Sequence, residues 1–195
     1  MCGRYYIDDE TARQIERLVA DIDREMNHRK TGDIRPSEQA LVLKGSGNVE
    51  PTIMPELMGW GFPGYSGKGL VINARAESVL EKRSFQDSVL HRRCIIPAGG
   101  FYEWSPRREK YWFKRPGEIL FMAGCYRRFE EGDRFVVLTT AANPSVLGVH
   151  DRMPLLLERT EIESWVLDDG AVKWLLHKRP GALEKRTEYE QLRLF

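Results

Sequence analysis

The second residue of this 195-residue chain is a cysteine. An initiator Met is removed most readily when the next side chain is small, so processing is expected to leave Cys2 at the N-terminus. A free N-terminal Cys carries an amine and a thiol on adjacent carbons, with ordinary pKa values of about 7.7–8.0 and about 8.5, so both are partly deprotonated near neutrality. Such a 1,2-aminothiol traps aldehydes. The amine condenses to a Schiff base, the thiolate adds to the same carbon, and a five-membered thiazolidine closes because the two nucleophiles are already held together. Taken alone, a cysteine at position 2 is more often accidental than chemical. The other thiols, Cys94 and Cys125, fall inside apolar strand-like runs and read as inert core residues. Together with His28, His91, His150 and His177 they form no C-x-x-C pair and no H-E-x-x-H, so the sequence predicts no metal site. No G-x-x-x-x-G-K-[ST] loop is present either, and no cofactor is implied.

These side chains need a scaffold. With 42% hydrophobic residues, the chain can bury a sizeable core within a single domain over residues 1–195. Thirty Lys and Arg against 29 Asp and Glu give no whole-protein field, so any nucleic-acid contact must be local. No apolar stretch approaches the ~20 residues of a membrane span, and the start lacks a secretory signal, so a cytoplasmic protein is expected.

Residues 4–7 read as a strand, and Ile15, Leu18, Val19, Ile22 and Met26 recur at helical spacing toward Gly32. Two β-type runs follow, broken by the hairpin-like KGSGN, and Ser78 with Glu81 has the spacing of a capping box for a helix over roughly 78–91. Strands then dominate: CIIPAG, GFYEW, KYWFKR, EILFMAGCYRRF and RFVVLTTAA, with turns at Pro116-Gly117 and Glu131-Gly132-Asp133. Thr160 with Glu163 gives a second capping box before two short C-terminal helices. The fold class is α+β: a central curved antiparallel sheet or partial barrel with helices at both ends.

Four motifs, MCGR at residues 1–4, VINARAE at 71–77, PAGGFYEW at 97–104 and GVHDRMP at 148–154, stand in order along the chain. With Trp60-Gly61 and the run Thr139-Thr140-Ala141-Ala142, this pattern resembles the SRAP family, the SOS-response-associated peptidase family of abasic-site processing proteins. The resemblance implies a protein that binds single-stranded DNA at an abasic site, bonds covalently to the ring-opened sugar aldehyde and so shields the lesion. It also implies slow reversal of the adduct, a lyase side reaction through the Schiff base, and Met1 removal by the protein itself. The family's catalytic set falls on Cys2, Asn73, Glu103 and His150.

Each position has a chemical reason. Glu103 in an apolar FYEW setting suits a general acid of raised pKa that protonates the sugar ring oxygen, and strand alternation sets it on one face with Phe101. Asn73 offers an amide donor and acceptor to orient the nucleophile, and His150, followed by Asp151 and Arg152, suits proton transfer near pH 7 in sugar opening or adduct reversal. Nine Lys and Arg against three acids lie between Lys82 and Arg115, a local basic window. By resemblance, Arg4, Arg75 and Arg83 grip phosphates, Trp60 and Pro36 press against bases, and Trp104 and Thr139 complete the DNA contacts. The glycines flanking Trp60 point to an exposed loop aromatic.

The expected partner is single-stranded DNA carrying abasic sites, met by a monomer. Two other readings compete: a cysteine or N-terminal-nucleophile peptidase using Cys2 and His150, and a noncovalent single-strand binder. Peptide cleavage in trans marks the first, and a complex that dissolves in denaturant marks the second.

Overall fold

The computed structural model describes residues 2–22, 31–46, 51–64 and 67–187; Met1 and His28 lie outside them, as does the segment leading to Gly32. The chain opens with β1 (Tyr5–Ile7), α1 (Asp9–Ile22), β2 (Gly32–Ile34), β3 (Gln39–Ser46) and β4 (Thr52–Trp60). A small hairpin, β5 (Phe62–Pro63) with β6 (Leu70–Val71), leads to β7 (Asn73–Arg75) and α2 (Gln86–His91). Five strands follow in succession: β8 (Arg93–Ala98), β9 (Gly100–Trp104), β10 (Lys110–Lys114), β11 (Leu120–Phe129) and β12 (Gly132–Ala141). The last third holds α3 (Pro144–Leu147), β13 (Arg152–Pro154), β14 (Leu156–Leu157), α4 (Ile162–Leu167), α5 (Val172–Leu176) and β15 (Glu184–Thr187).

The expected partial barrel closes. Strands β12, β4, β3, β8 and β11 form a ring, because β11 and β12 also pair with each other along the hairpin from Gly124↔Val137 to Phe129↔Gly132. The ring is antiparallel except where β12 runs parallel to β4, and β12 also runs parallel to the short β7. This departs from a purely antiparallel expectation. A second sheet, in the order β15-β10-β9-β1-β2, lies against the barrel.

Two cores explain the continuous apolar runs. Cys94 and Ile96 belong to one cluster and Ile95 to the other; Val137 belongs to the first, Val136 and Leu138 to the second. Alternate side chains of the barrel strands therefore enter the barrel or lie under α4 and α5, so both faces are apolar. Helix α1 adds Ala12, Ile15 and Val19 to the first cluster, and its first turn is capped where Thr11 N–H donates to Asp8 Oδ1 at 2.8 Å. Among the described residues no helix is long and apolar enough to cross a membrane.

Two local expectations fail. Residues 79–85 are turns, closed by Glu81 N–H to Ser78 O and Phe85 N–H to Lys82 O, so the helix begins only at Gln86. The capping box before the C-terminal helices is formed by Glu158 and Glu161, not by Thr160 and Glu163, with Glu158 N–H donating to Glu161 Oε2 at 2.7 Å. Glu158 also holds Arg115 through two bonds of 2.7 and 2.9 Å, which fixes that end.

Candidate functional site

Strand β1 pairs with β9 from Tyr5↔Phe101, and Tyr102 N–H donates to Arg4 O at 3.0 Å, so the Cys2-Gly3-Arg4 lead-in runs beside the strand that carries Glu103. Cys2 is fully buried, its thiol reaching Arg4 O at 3.7 Å. Burial, and then the charge of Glu103, push the thiol well above its ordinary pKa, so the thiol form is the resting one. For such a thiol to act as a nucleophile, a neighbouring group would have to take the Sγ proton.

Asn73 opens β7, which the parallel pairing Asn73↔Val137 presses onto the barrel. Its Nδ2 donates to the Cys2 carbonyl at 2.9 Å. Its Oδ1 is buried without a hydrogen-bond partner among the described residues. The amide holds the Cys2 backbone with one atom and leaves the other for an incoming N–H or O–H.

Glu103 sits on the inner face of β9 with Phe101, as alternation predicts, and is 2% exposed. Desolvation lifts its pKa to about 7, and the charge of Asp151 adds to the shift. A carboxyl that is half protonated near neutrality serves as a proton donor in one step and an acceptor in the next.

His150 is held by a tether. Asn143 caps α3 by accepting from Ser145 N–H at 3.0 Å, and its Nδ2 donates to Pro180 O and Gly181 O at 3.1 and 2.7 Å. His150 N–H then returns to Val146 O at 3.1 Å. On the imidazole, Arg152 N–H donates to Nδ1 at 2.9 Å, and Asp151 Oδ1 lies 2.9 Å from the same nitrogen. One nitrogen cannot accept the first bond and donate the second. Burial holds His150 below its ordinary pKa, so at neutral pH Nδ1 accepts, Nε2 carries the proton, and the Asp151 contact becomes an ion pair only when the ring is protonated.

Two residues of this site were not singled out from sequence. The Arg152 guanidinium binds both carboxylate oxygens of Glu77, with Nη2 to Oε2 at 2.9 Å, and also reaches Thr139 O at 2.6 Å. It thereby ties the loop of His150 to the segment after Asn73. The signal was available: Glu77 and Arg152 sit inside the motifs that supplied Asn73 and His150.

The DNA-contact residues divide. Arg4 is half-buried, 3.5 Å from Asp33 and 5.5 Å over the Trp104 ring, at the rim of the site. Arg75 and Arg83 are exposed, and Pro36 is half-buried in a turn. Trp60 and Thr139 do not fit the expectation. Trp60 is a buried residue of β4, stacked on Phe135 at 6.2 Å and tilted against Tyr5 at 5.3 Å, with Nε1 donating to Ile72 O at 3.0 Å. Its glycines serve packing rather than exposure: a Cβ on Gly59 would come within 3.2 Å of the Arg134 guanidinium, and Gly61 adopts φ +105°. Thr139 is likewise fully buried, donating to Ala74 O at 3.4 Å and accepting from Arg152 at 3.3 Å, so it positions Arg152. Neither presents a surface to a base.

A closed barrel with a flanking sheet thus carries a buried thiol near the chain start, a buried acid with a pKa of about 7 and a tethered imidazole. The chain belongs to the SOS response associated peptidase (SRAP) family, whose model matches residues 1–190. Among curated relatives it is 27% identical over 182 residues to Abasic site processing protein YedK of Escherichia coli (strain K12), covering 85% of this chain and 79% of that one. It is 30% identical over 193 residues to Abasic site processing protein YoqW of Bacillus subtilis (strain 168), covering 85% and 80%. An X-ray structure of a Bacteroides thetaiotaomicron protein superposes with TM-score 0.76 at 20% identity, over 95% of this chain and 91% of that one, and supports the fold. A Bordetella bronchiseptica protein does so with TM-score 0.75 at 22% identity, over 95% and 99%.

Proposed function

We propose that this protein processes abasic sites in DNA by covalent capture, closing a thiazolidine between Cys2 and the ring-opened sugar aldehyde in single-stranded DNA. The coarser part, action on abasic sites, is supported by the names of the family relatives. The finer part rests on one observation: Cys2 is packed with the Asn73 amide and with a carboxyl, Glu103, whose pKa is about 7.

Protonated Glu103 gives its proton to the sugar ring oxygen while the hemiacetal hydroxyl releases its own to water, which frees the aldehyde. The Cys2 amine, exposed by loss of Met1, adds to the carbonyl carbon, and the carbinolamine hydroxyl takes back the proton released to water and leaves as water, giving an iminium. Cys2 Sγ then adds to the same carbon, and its proton passes to the Glu103 carboxylate, which restores the starting acid. Asn73 Oδ1 accepts from the attacking amine and holds it in line. The neutral His150, with its proton on Nε2, supplies a donor for sugar opening and for the ring-opening that reverses the adduct. Arg4, Arg75 and Arg83 meet the phosphates and Trp104 a base.

The test is incubation of protein lacking Met1 with an abasic-site oligonucleotide, followed by denaturation and electrophoresis. A shifted band that Cys94→Ala and Cys125→Ala retain and Cys2→Ala loses is the expected result. Noncovalent binding alone, or cleavage of peptides in trans without a shifted band, would overturn the reading.

A further inference from the structure

Strand β9 presents two unlike faces. Phe101 and Glu103 point inward and are buried, while Tyr102 and Trp104 point outward and are half-exposed. The register extends that outer face across the sheet: Lys110 lies opposite Trp104, Trp112 opposite Tyr102, and Tyr6 opposite Gly100. Starting from Arg4 over Trp104, the rings follow one another at 6.4 Å (Trp104 to Tyr102) and 5.3 Å (Tyr102 to Tyr6), with Lys110 Nζ 4.0 Å from the Tyr102 centroid. Tyr6, Asp8, Tyr102, Lys110, Trp112 and Lys114 line a groove of about 330 Å³.

Aromatic and cationic cross-strand pairs also occur on ordinary solvated sheet faces. The charges separate the two cases. Each acid on this face is already engaged within the protein: Asp33 by Arg4 and the Tyr102 hydroxyl, Glu184 by Arg186 at 2.6 Å, and Asp8 by the N–H of Thr11. Lys110 and Lys114 have no carboxylate within ion-pair distance among the described residues, although Lys114 does act on Asp8 from further away. Rings that accept any base, beside ammonium groups that no described carboxylate meets at ion-pair distance, match single-stranded nucleic acid, Lys110 more fully than Lys114, which stands opposite Glu184 and acts on Asp8. The face also begins at Trp104 and Arg4, where a strand seated on Cys2 would leave the site.

We propose that the outer face of the five-stranded sheet is a second contact for single-stranded DNA, binding the flank of the lesion strand. Tyr102 and Trp112 stack on its bases, and Lys110 and Lys114 meet its phosphates. The inference rests on the proposed function only for the direction of approach. Fluorescence anisotropy on wild-type protein with abasic oligonucleotides extended on the 5′ side only, on the 3′ side only, or on neither side reads it out. Extension on one side is expected to tighten binding roughly tenfold per stacked base. Trp112→Ala and the pair Lys110→Gln with Lys114→Gln are expected to shrink that long-to-short ratio toward one. The charge pair carries the test if Trp112→Ala fails to fold.

Equal affinity for all three probes, or an unaltered ratio in the folded variants, would overturn the inference while leaving covalent capture standing. Absence of any crosslink would instead overturn covalent capture, and flank-dependent binding of undamaged oligothymidine would still support this face.

Discussion

Among the described residues the barrel and the sheet beside it each bury one acidic or basic side chain, and they treat it differently. In the barrel, Arg93 is 4% exposed, and its guanidinium donates to the carbonyls of Val89, Leu90, Trp165 and Val166 and to Asp169. It ties α2 and α4 to β8, and its charge is matched on every side. In the sheet, Glu103 is as deeply buried, and desolvation appears as a pKa of about 7. A buried guanidinium met by acceptors on every side is architecture, whereas a buried acid with a pKa near neutrality is a candidate for chemistry. The strand patterns agree. Barrel strands are apolar on both faces, whereas β9 buries only one, and its single inward polar side chain is the acid.

The largest effect expected from breaking this contrast lies in the barrel. Arg93→Leu leaves four carbonyls without their donor and should cost roughly 3–5 kcal/mol of stability, measured by denaturant unfolding. A loss below about 1 kcal/mol would place Arg93 among dispensable surface charges.

The sheet should respond in the opposite sense. Because Glu103 has a folded pKa raised to about 7 from 4.5, the wild type is most stable below pH 4.5 with respect to this group and loses that contribution as pH rises through 7. Glu103→Gln, neutral throughout, should match wild type near pH 4 and exceed it by up to about 3 kcal/mol at pH 8. Its adduct formation should be slower. Thermal unfolding across pH checks the first statement and timed crosslinking the second. A pH-independent difference would show that burial is not what shifts the acid.

This contrast was partly legible in the sequence. The β-branched and aromatic runs gave β8 to β12, the turns at Gly117 and Gly132 have φ of +72° and +114°, and alternation gave the inward Glu103. Barrel closure was not legible, because the parallel pairings of β12 with β4 and β7 join residues far apart and leave no local pattern. Trp60 was misread for a related reason: glycines beside an aromatic look like a loop, and only the approach of Arg134 and Leu70 reveals them as packing residues. Thr139 and Arg152 form a contact between two motifs, and each motif alone is silent about it.

A smaller effect is expected at that contact. Arg152→Ala removes the bonds to Glu77 and Thr139 and should cost about 1–2 kcal/mol while slowing adduct reversal severalfold, as His150 loses its fixed orientation. Release kinetics equal to wild type would leave the clamp purely structural. The smallest effect belongs to the exposed arginines. Arg75→Ala or Arg83→Ala should flatten the plot of log K against log salt by about 0.7, the value for one phosphate on a single strand. An unchanged slope would remove that residue from the interface.

The proposed capture requires Cys2 to act through its amine and thiol together. Intact mass spectrometry after incubation with an abasic oligonucleotide tests it most directly, comparing protein that starts at Cys2 with protein in which Met1 is retained behind a cleavable tag. A denaturation-stable adduct, with loss of one water, is expected only where the Cys2 amine is free, and it should return when protease exposes that amine. The same stable adduct on the blocked protein, where Cys2 has an amide nitrogen, would contradict it.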